Sequence, residues 1–330
     1  MQHFNNLSWS TTRITVLEYC QKKYFFNYYT HTLRNLNEQL RLETLLLKHL
    51  KSLDMRVGEK THRLLSDYIR KLKINQNVSP EEIEQLKQNI VNEMKSEYEI
   101  SKNRDYTSYD RDHTFWLSEH YYWEEIDDQL EPVIQKVLNN LDVFIKSDWH
   151  EKIVTYMKKA KTVFVETPRE KNFEWMKVHL WTIPELKNIV VMASPDFGVV
   201  FDESRYLIID RKSGQEKLDG DWPSDQIKIY ALKTLLKMRA DVENVNIEWY
   251  EVYLPGLKKI WGKIEKSHIE WIIQKLIEDV KYQKQFLVDE DEVKNQPIPH
   301  ENFYRTKSAK KCESCTFRKV CEELKKFETA

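Results

Sequence analysis

The stretch from Ile189 to Leu232, IVVMASPDFGVVFDESRYLIIDRKSGQEKLDGDWPSDQIKIYAL, constrains the fold more than any other part of the chain. Two short apolar runs, ending near Ala193 and at Ile209, read as strands. Each delivers an acid, Asp196 and Asp210, where the apolar strand is expected to stop. Lys212 follows Asp210 by two residues, so in an extended chain both side chains leave the same face. Ser213-Gly214 is expected to break the strand, and after a polar loop Gln226 and Tyr230 follow at helical i, i+4 spacing. Two carboxylates and a lysine on one sheet face can hold a divalent cation beside a phosphodiester and stabilise charge on it.

The rest of the composition bounds this reading. A chain of 330 residues has room for one large or two ordinary domains, and 41% hydrophobic with 32% charged residues describes a folded protein. No apolar run approaches the roughly 20 residues that cross a bilayer. The N-terminus MQHFNNLSWS lacks a basic-then-apolar secretory pattern, so a cytoplasmic location without a membrane partner is expected. Lys+Arg 52 against Asp+Glu 53 gives net charge -1, which argues against a generally basic nucleic-acid binder but leaves room for a local basic channel. No G-x-x-x-x-G-K-[ST] occurs, so the sequence carries no P-loop motor.

Taken in order, residues 8–32 open with a Ser/Thr cluster suited to capping a helix, on which Ile14, Leu17, Cys20, Tyr24 and Phe25 are expected to lie. Residues 33–160 read as mostly helical, with a break at 74–80 that ends in Ser79-Pro80. Within them Gly58-x-x-x-His62 precedes Leu64, Leu65, Tyr68, Ile69 and Leu72, the stripe of an amphipathic helix. A histidine beside such a stripe is ordinarily a satisfied, partly buried side chain. The aromatics of 101–130 could stack on unpaired bases, but packing is their ordinary role. From Lys161 strands take over: Thr162–Thr167 and Phe173–Trp181 around the turn-like Pro168–Asn172, then Ile247–Leu254, and finally a helix from about Ser267 to Phe286. Glu166, at the end of the first of these, reads equally as a site residue or a strand-end charge.

The four cysteines are Cys20 and the C-terminal group Cys312, Cys315 and Cys321, in the segment KCESCTFRKVC. Clustered cysteines in a cytosolic chain point to a metal more than to disulfides. Three close thiolates leave a four-ligand site one short, and Cys20 is the only other cysteine. Zinc and an iron–sulfur cluster both fit that count.

In order, Asp196, Asp210-Arg211-Lys212 and Gln226-x-x-x-Tyr230 resemble the core of a PD-(D/E)XK nuclease of the RecB-like branch. That branch carries G-x-x-D, (D/E)-x-K and Q-x-x-x-Y; Ala193 stands where the pattern has its glycine. Gly58-x-x-x-His62 resembles the branch's first motif. Cys20 with its Lys22-Lys23-Tyr24-Phe25 run, paired with the terminal C-x-x-C-x-x-x-x-x-C, looks like the iron–sulfur staple of AddB-type and CRISPR-associated RecB-like nucleases. Residues 75–160 carry no motif of these families.

The resemblance implies an α/β restriction-endonuclease-like core, a mixed sheet flanked by helices, with a helical insertion and an iron–sulfur clasp joining the chain ends. The expected divisions are an N-terminal helix (1–32), a helical subdomain with His62 (33–160), the nuclease core (161–300) and the iron–sulfur segment (301–330). It implies metal-dependent hydrolysis of DNA phosphodiesters, as an exonuclease in repair, recombination or foreign-DNA processing. His62, Asp196, Asp210 and the Arg211 carbonyl would hold Mg2+ or Mn2+, Lys212 would stabilise charge, and Gln226 and Tyr230 would position the DNA or the lysine. Cys20, Cys312, Cys315 and Cys321 would hold a structural [4Fe–4S] cluster. Lys307, Lys310, Lys311, Arg318 and Lys319 beside it are an entry track for DNA or a solvated surface. A separate helicase or CRISPR adaptation proteins are the partners implied. The alternatives are a non-catalytic module binding DNA ends or a partner, against which the retained acid pair and lysine speak, and a CRISPR adaptation nuclease.

Overall fold

The computed structural model describes residues 6–75, 77–106, 116–166, 177–212, 222–254 and 256–322. The turn at Pro168–Asn172, the break at Ser213-Gly214 and the first part of Phe173–Trp181 lie outside them. After the short strand Ser8–Trp9 (β1), the Ser10 hydroxyl accepts from the Arg13 N–H and starts Thr11–Tyr19 (α1). The single helix expected to contain Cys20 is two helices. Cys20 is extended (φ −168°) and separates α1 from Gln21–Tyr28 (α2). The cause is tertiary: Lys22 N–H donates to the Tyr304 carbonyl (3.1 Å), Phe25 packs on Phe303 and Phe26 stacks on Phe317. These contacts turn α2 onto the C-terminal segment and leave Cys20 at the corner.

Helices Glu38–His49 (α3), Leu53–Asn75 (α4), Pro80–Lys102 (α5), Ser118–Tyr121 (α6), Leu130–Ile145 (α7) and Asp148–Lys159 (α8) follow. The expected start at Ser79-Pro80 is a reciprocal capping box, Ser79 with Glu82 and proline in the first turn. Leu64, Leu65, Tyr68, Ile69 and Leu72 of α4 are buried, and α4 packs against α7. In the aromatic region, Tyr106 meets Trp116 edge-on and tilts against Tyr121, the packing role; residues 107–115 lie outside the description.

The strands are Thr162–Val165 (β2), Lys177–His179 (β3), Val190–Met192 (β4), Phe197–Val200 (β5) and Arg205–Lys212 (β6); then come Asp225–Met238 (α9), Asn246–Tyr253 (β7), Lys258–Lys263 (β8), Lys266–Lys284 (α10) and Ala309–Glu313 (α11). They form a three-stranded sheet, β1-β4-β3, and a mixed five-stranded sheet, β2-β5-β6-β7-β8. Neither acid sits where an apolar strand stops. The run before Asp196 is β4, in the other sheet, and Asp196 stands immediately before β5; β6 continues past Asp210 to Lys212. β8 had no sequence signal because Lys258-Lys259 and Lys263 make it read as a charged loop. It is the outer strand beside β7, where such charges are at home.

β6 and β7 are parallel, which requires a crossover, and α9 lies within it. Tyr206 and Ile208 point into the core under α9 and α10, and Leu207 and Ile209 into the core under α4 and α7. That two-sided burial explains the unbroken apolar run of β6. The first of these cores also takes in Leu7, Trp9 and Phe25 from one end of the chain and Phe303, Phe317 and Val320 from the other.

Trp249 of β7 is fully buried, and a Cβ built at Gly262 of β8 would lie 3.2 Å from its indole. Gly262→Ala is therefore expected to destabilise the protein by about 1–3 kcal/mol, read as a lowered urea midpoint with an unchanged slope.

Candidate active site

Sheet geometry builds the site. Ile209 pairs with Phe197 and Phe197 with Val165; one residue further along, Asp210 stands beside Asp196 and Asp196 beside Glu166, where Glu166 N–H donates to the Asp196 carbonyl (2.8 Å). On the other side Asp210 pairs with Glu251 of β7. Neighbouring residues in register share a face, so Glu166, Asp196, Asp210 and Glu251 form one row across four strands. Of these, Asp196, Asp210 and Glu251 are buried, and all three line a cleft of about 910 Å³.

Each side chain of the row has its own setting. Asp196 Oδ2 accepts from the Arg211 backbone N–H (2.7 Å) and stands 3.4 Å from His62 Nδ1. Burial alone would raise the Asp196 carboxyl, but His62 and Arg211 outweigh it and hold it well below the usual range. Burial opposes the charge on His62, and Asp196 overcomes this and raises it. Glu166 is raised by burial and by Asp196. Asp210 is pushed up to about 7, first by burial and then by Asp196, against the pull of Lys212.

Lys212 Nζ lies 2.5 Å from Asp210 Oδ2 and donates to Gln226 Oε1 (2.6 Å). Gln226 Nε2 in turn donates to the Tyr230 hydroxyl (2.5 Å). Ser224 caps α9 and so sets the phase of both residues. The Asp210, Lys212, Gln226, Tyr230 chain is thus one connected network, in which the Lys212–Gln226 bond joins the strand pair to the helix pair. Arg211 sends its side chain the other way, to Ser66 Oγ of α4 at 2.7 Å. This anchors α4, and with it His62, against the row.

Among the described residues, His62, Glu166 and Asp196 offer ligand atoms within 4.8 Å of one another. The family resemblance implies Asp210 and the Arg211 carbonyl in that set as well, and leaves Glu166 open. The donors are oxygen and imidazole nitrogen, a set suited to Mg2+ or Mn2+ rather than a thiophilic ion. Sequence reading missed Glu251, although it is an acid inside an aromatic strand. It also missed Lys228, whose Nζ lies 3.9 Å from the Trp271 ring and 4.9 Å from that of Trp222. Both indoles are partly exposed at the cleft.

Away from this cleft, Cys20, Cys312, Cys315 and Cys321 line one cavity together with Lys23, Arg305 and Arg318. Burial raises the Cys315 and Cys321 thiols, the latter to about 11. The nearby basic residues are in part structural. Arg318 lies over Tyr122 and bonds Glu124 (2.9 Å), Lys319 bonds Glu43 (2.9 Å), and Lys311 lies over Tyr19. No helix among the described residues is long and apolar enough to cross a membrane.

The Asp210 shift carries a sign. Without metal, the native state keeps a proton there that the unfolded chain releases between about pH 4 and pH 7, so ionisation erodes stability as pH rises through that window. In EDTA, Asp210→Asn is expected to gain on the wild type between pH 4 and pH 7 by about 1–3 kcal/mol, measured by urea unfolding at each pH.

No curated protein matches this sequence. The family model of the PD-(D/E)XK nuclease superfamily matches residues 8–322, nearly the whole chain. The mixed sheet flanked by helices agrees with that match, and the chain belongs to the PD-(D/E)XK nuclease superfamily.

Proposed function

We propose that this protein is a Mg2+- or Mn2+-dependent deoxyribonuclease of the RecB-like branch. The observation that carries the reading is the Lys212 ammonium, which lies against Asp210 and is held by Gln226, itself bound to Tyr230. A binding module has no use for a lysine fixed in this way beside paired acids. Burial opposes the charge on Lys212, but Asp210 outweighs it and raises the amine above its ordinary value. Its role is to stabilise the negative charge that develops on the scissile phosphate or to orient the attacking water.

His62, Glu166, Asp196 and Asp210, with the Arg211 carbonyl, would hold the metal, which when bound lowers the pKa of water and polarises the phosphate. Arg211 positions two of these ligands, through its backbone N–H to Asp196 and its side chain to α4. Gln226 limits where Lys212 can point. The half-exposed indoles of Trp222 and Trp271, on either side of Lys228, suit unpaired bases next to a cation. DNA repair, recombination or foreign-DNA processing in the cytoplasm is the setting, with a separate helicase or CRISPR adaptation proteins as partners. Lys307 and Lys310 are the members of the basic cluster we assign to DNA.

A structural [4Fe–4S] cluster belongs in the cavity that Cys20, Cys312, Cys315 and Cys321 line. Supporting this, the α1–α2 corner at Cys20 is pinned to the C-terminal segment, and cationic side chains surround the thiols.

Lys212→Ala and Asp210→Ala are each expected to lower cleavage of end-labelled DNA with Mn2+ by at least about a hundredfold, with the fold intact by circular dichroism. Full activity in a Lys212→Ala preparation free of contaminating nuclease would refute the assignment. Anaerobically purified protein should be brown and hold about four irons per chain. Cys20→Ser should lower both iron content and Tm, since cluster binding is partly folding energy; a colourless protein with one zinc would exclude the cluster and leave the nuclease reading standing.

A further inference from the structure

We infer that the cavity beneath the C-terminal half of α9 binds a small monocarboxylic acid with an apolar body the size of a benzene ring, its carboxylate held by Lys233 and Lys237. The cavity measures about 120 Å³ and lies between α9 and strands β2, β5 and β6. None of the described residues lining it also lines the acid cleft. Its floor is the row Phe164, Gly198, Ile208. Register places this row on the sheet face of Glu166, Asp196 and Asp210, two residues further back along each strand. Gly198 makes the space. A Cβ there would stand 3.5 Å from the Leu207 carbonyl oxygen and 3.8 Å from Phe164 Cβ, ordinary contacts, so crowding does not call for glycine. Its φ lies outside the left-handed region, so backbone strain does not call for it either. What glycine supplies is a floor without a side chain.

Lys233 sets the charge of the ligand. It is 3% exposed, and its Nζ donates to the Ala193 carbonyl at 2.6 Å. An ammonium has three donors, of which that carbonyl takes one. Lys237, one turn further along α9, is exposed and lines the same cavity. Burial and Lys237 both oppose the charge on Lys233 and lower its pKa to about 7. An anion beside the two amines offsets both effects. Phe164, Pro195, Ile208 and Met238 supply apolar walls, so the anion must carry an apolar body. A dry cavity of about 150 Å³ takes benzene, which sets the size of that body. Pro195 stands directly before Asp196, so an occupant touches the turn that carries this acid. Binding rests on the cavity and its lysines; only an effect on cleavage through that turn rests on the nuclease reading.

The test is benzoate binding to the full chain without metal or DNA, by saturation-transfer NMR and by the rise in Tm. Wild type should bind benzoate saturably with a Kd of about 1 mM or below. Toluene lacks the charge and inorganic phosphate lacks the apolar body, so each should bind at least about tenfold more weakly. Lys233→Met, which keeps the stem and removes the ammonium, should weaken benzoate binding at least about tenfold. Gly198→Val, which fills the floor, should abolish it, with circular dichroism showing that each variant is folded; if Gly198→Val does not fold, Lys233→Met decides. No saturable binding to wild type, an unchanged affinity in Lys233→Met, or toluene bound as tightly as benzoate would overturn the inference. Cleavage is scored separately: a chain that binds benzoate through Lys233 and never cuts DNA keeps this site and loses the nuclease function, whereas one that cuts DNA and does not bind benzoate loses only this site.

Discussion

Strand β6 must be apolar on both faces to join two helical layers, yet its far end carries Asp210 and Lys212, with Arg211 buried between them. Everything around that end serves to make the charges tolerable. Arg211 is drawn to Ser66 and Asp196, Lys212 to Asp210 and Gln226, and His62 to Asp196. Removing any one leaves a buried partner exposed to its full desolvation cost. The helices α4 and α9 are thus tied to the sheet end from opposite sides by electrostatics, over and above their apolar packing.

The same frustration shifts the acids of the row apart. Adjacent carboxylates on neighbouring strands cannot all ionise comfortably at low dielectric, so Asp196 stays charged while Glu166 and Asp210 are pushed upward. A divalent cation held there would relieve that repulsion, and its binding would add to stability. Stability of the sheet end and affinity for metal are two readings of one arrangement. A fold relaxed by replacing these acids with amides would be steadier without metal and would lose its carboxylate donors.

The two chain ends form a second, independent system. α2 is turned out of line with α1 at Cys20 so that Phe25 and Phe26 can reach Phe303 and Phe317. The first core therefore closes only when residues from opposite ends of the chain, Phe25 with Phe303 and Phe26 with Phe317, have met, a long-range contact that organises the nuclease core without touching its acids. The Lys311, Arg318 and Lys319 side chains strengthen this closure through Tyr19, Tyr122, Glu124 and Glu43, which explains why a cluster that looks like a nucleic-acid track is partly committed to structure.

By itself the sequence determined the local chemistry. Period-2 and i, i+4 spacing put Asp210 with Lys212 and Gln226 with Tyr230, because a strand alternates faces and a helix repeats every 3.6 residues. Capping at Ser79 and the buried stripe of α4 were equally local and equally legible. Only tertiary structure decided which strands became neighbours. Asp196 and Glu166 join the row because β2, β5 and β6 pair in one register, and Glu251 joins it because a parallel crossover lays β7 against β6. No periodicity records such a pairing. The kink at Cys20 was hidden for the same reason: local propensity favoured a continuous helix, and distant aromatic contacts overrode it.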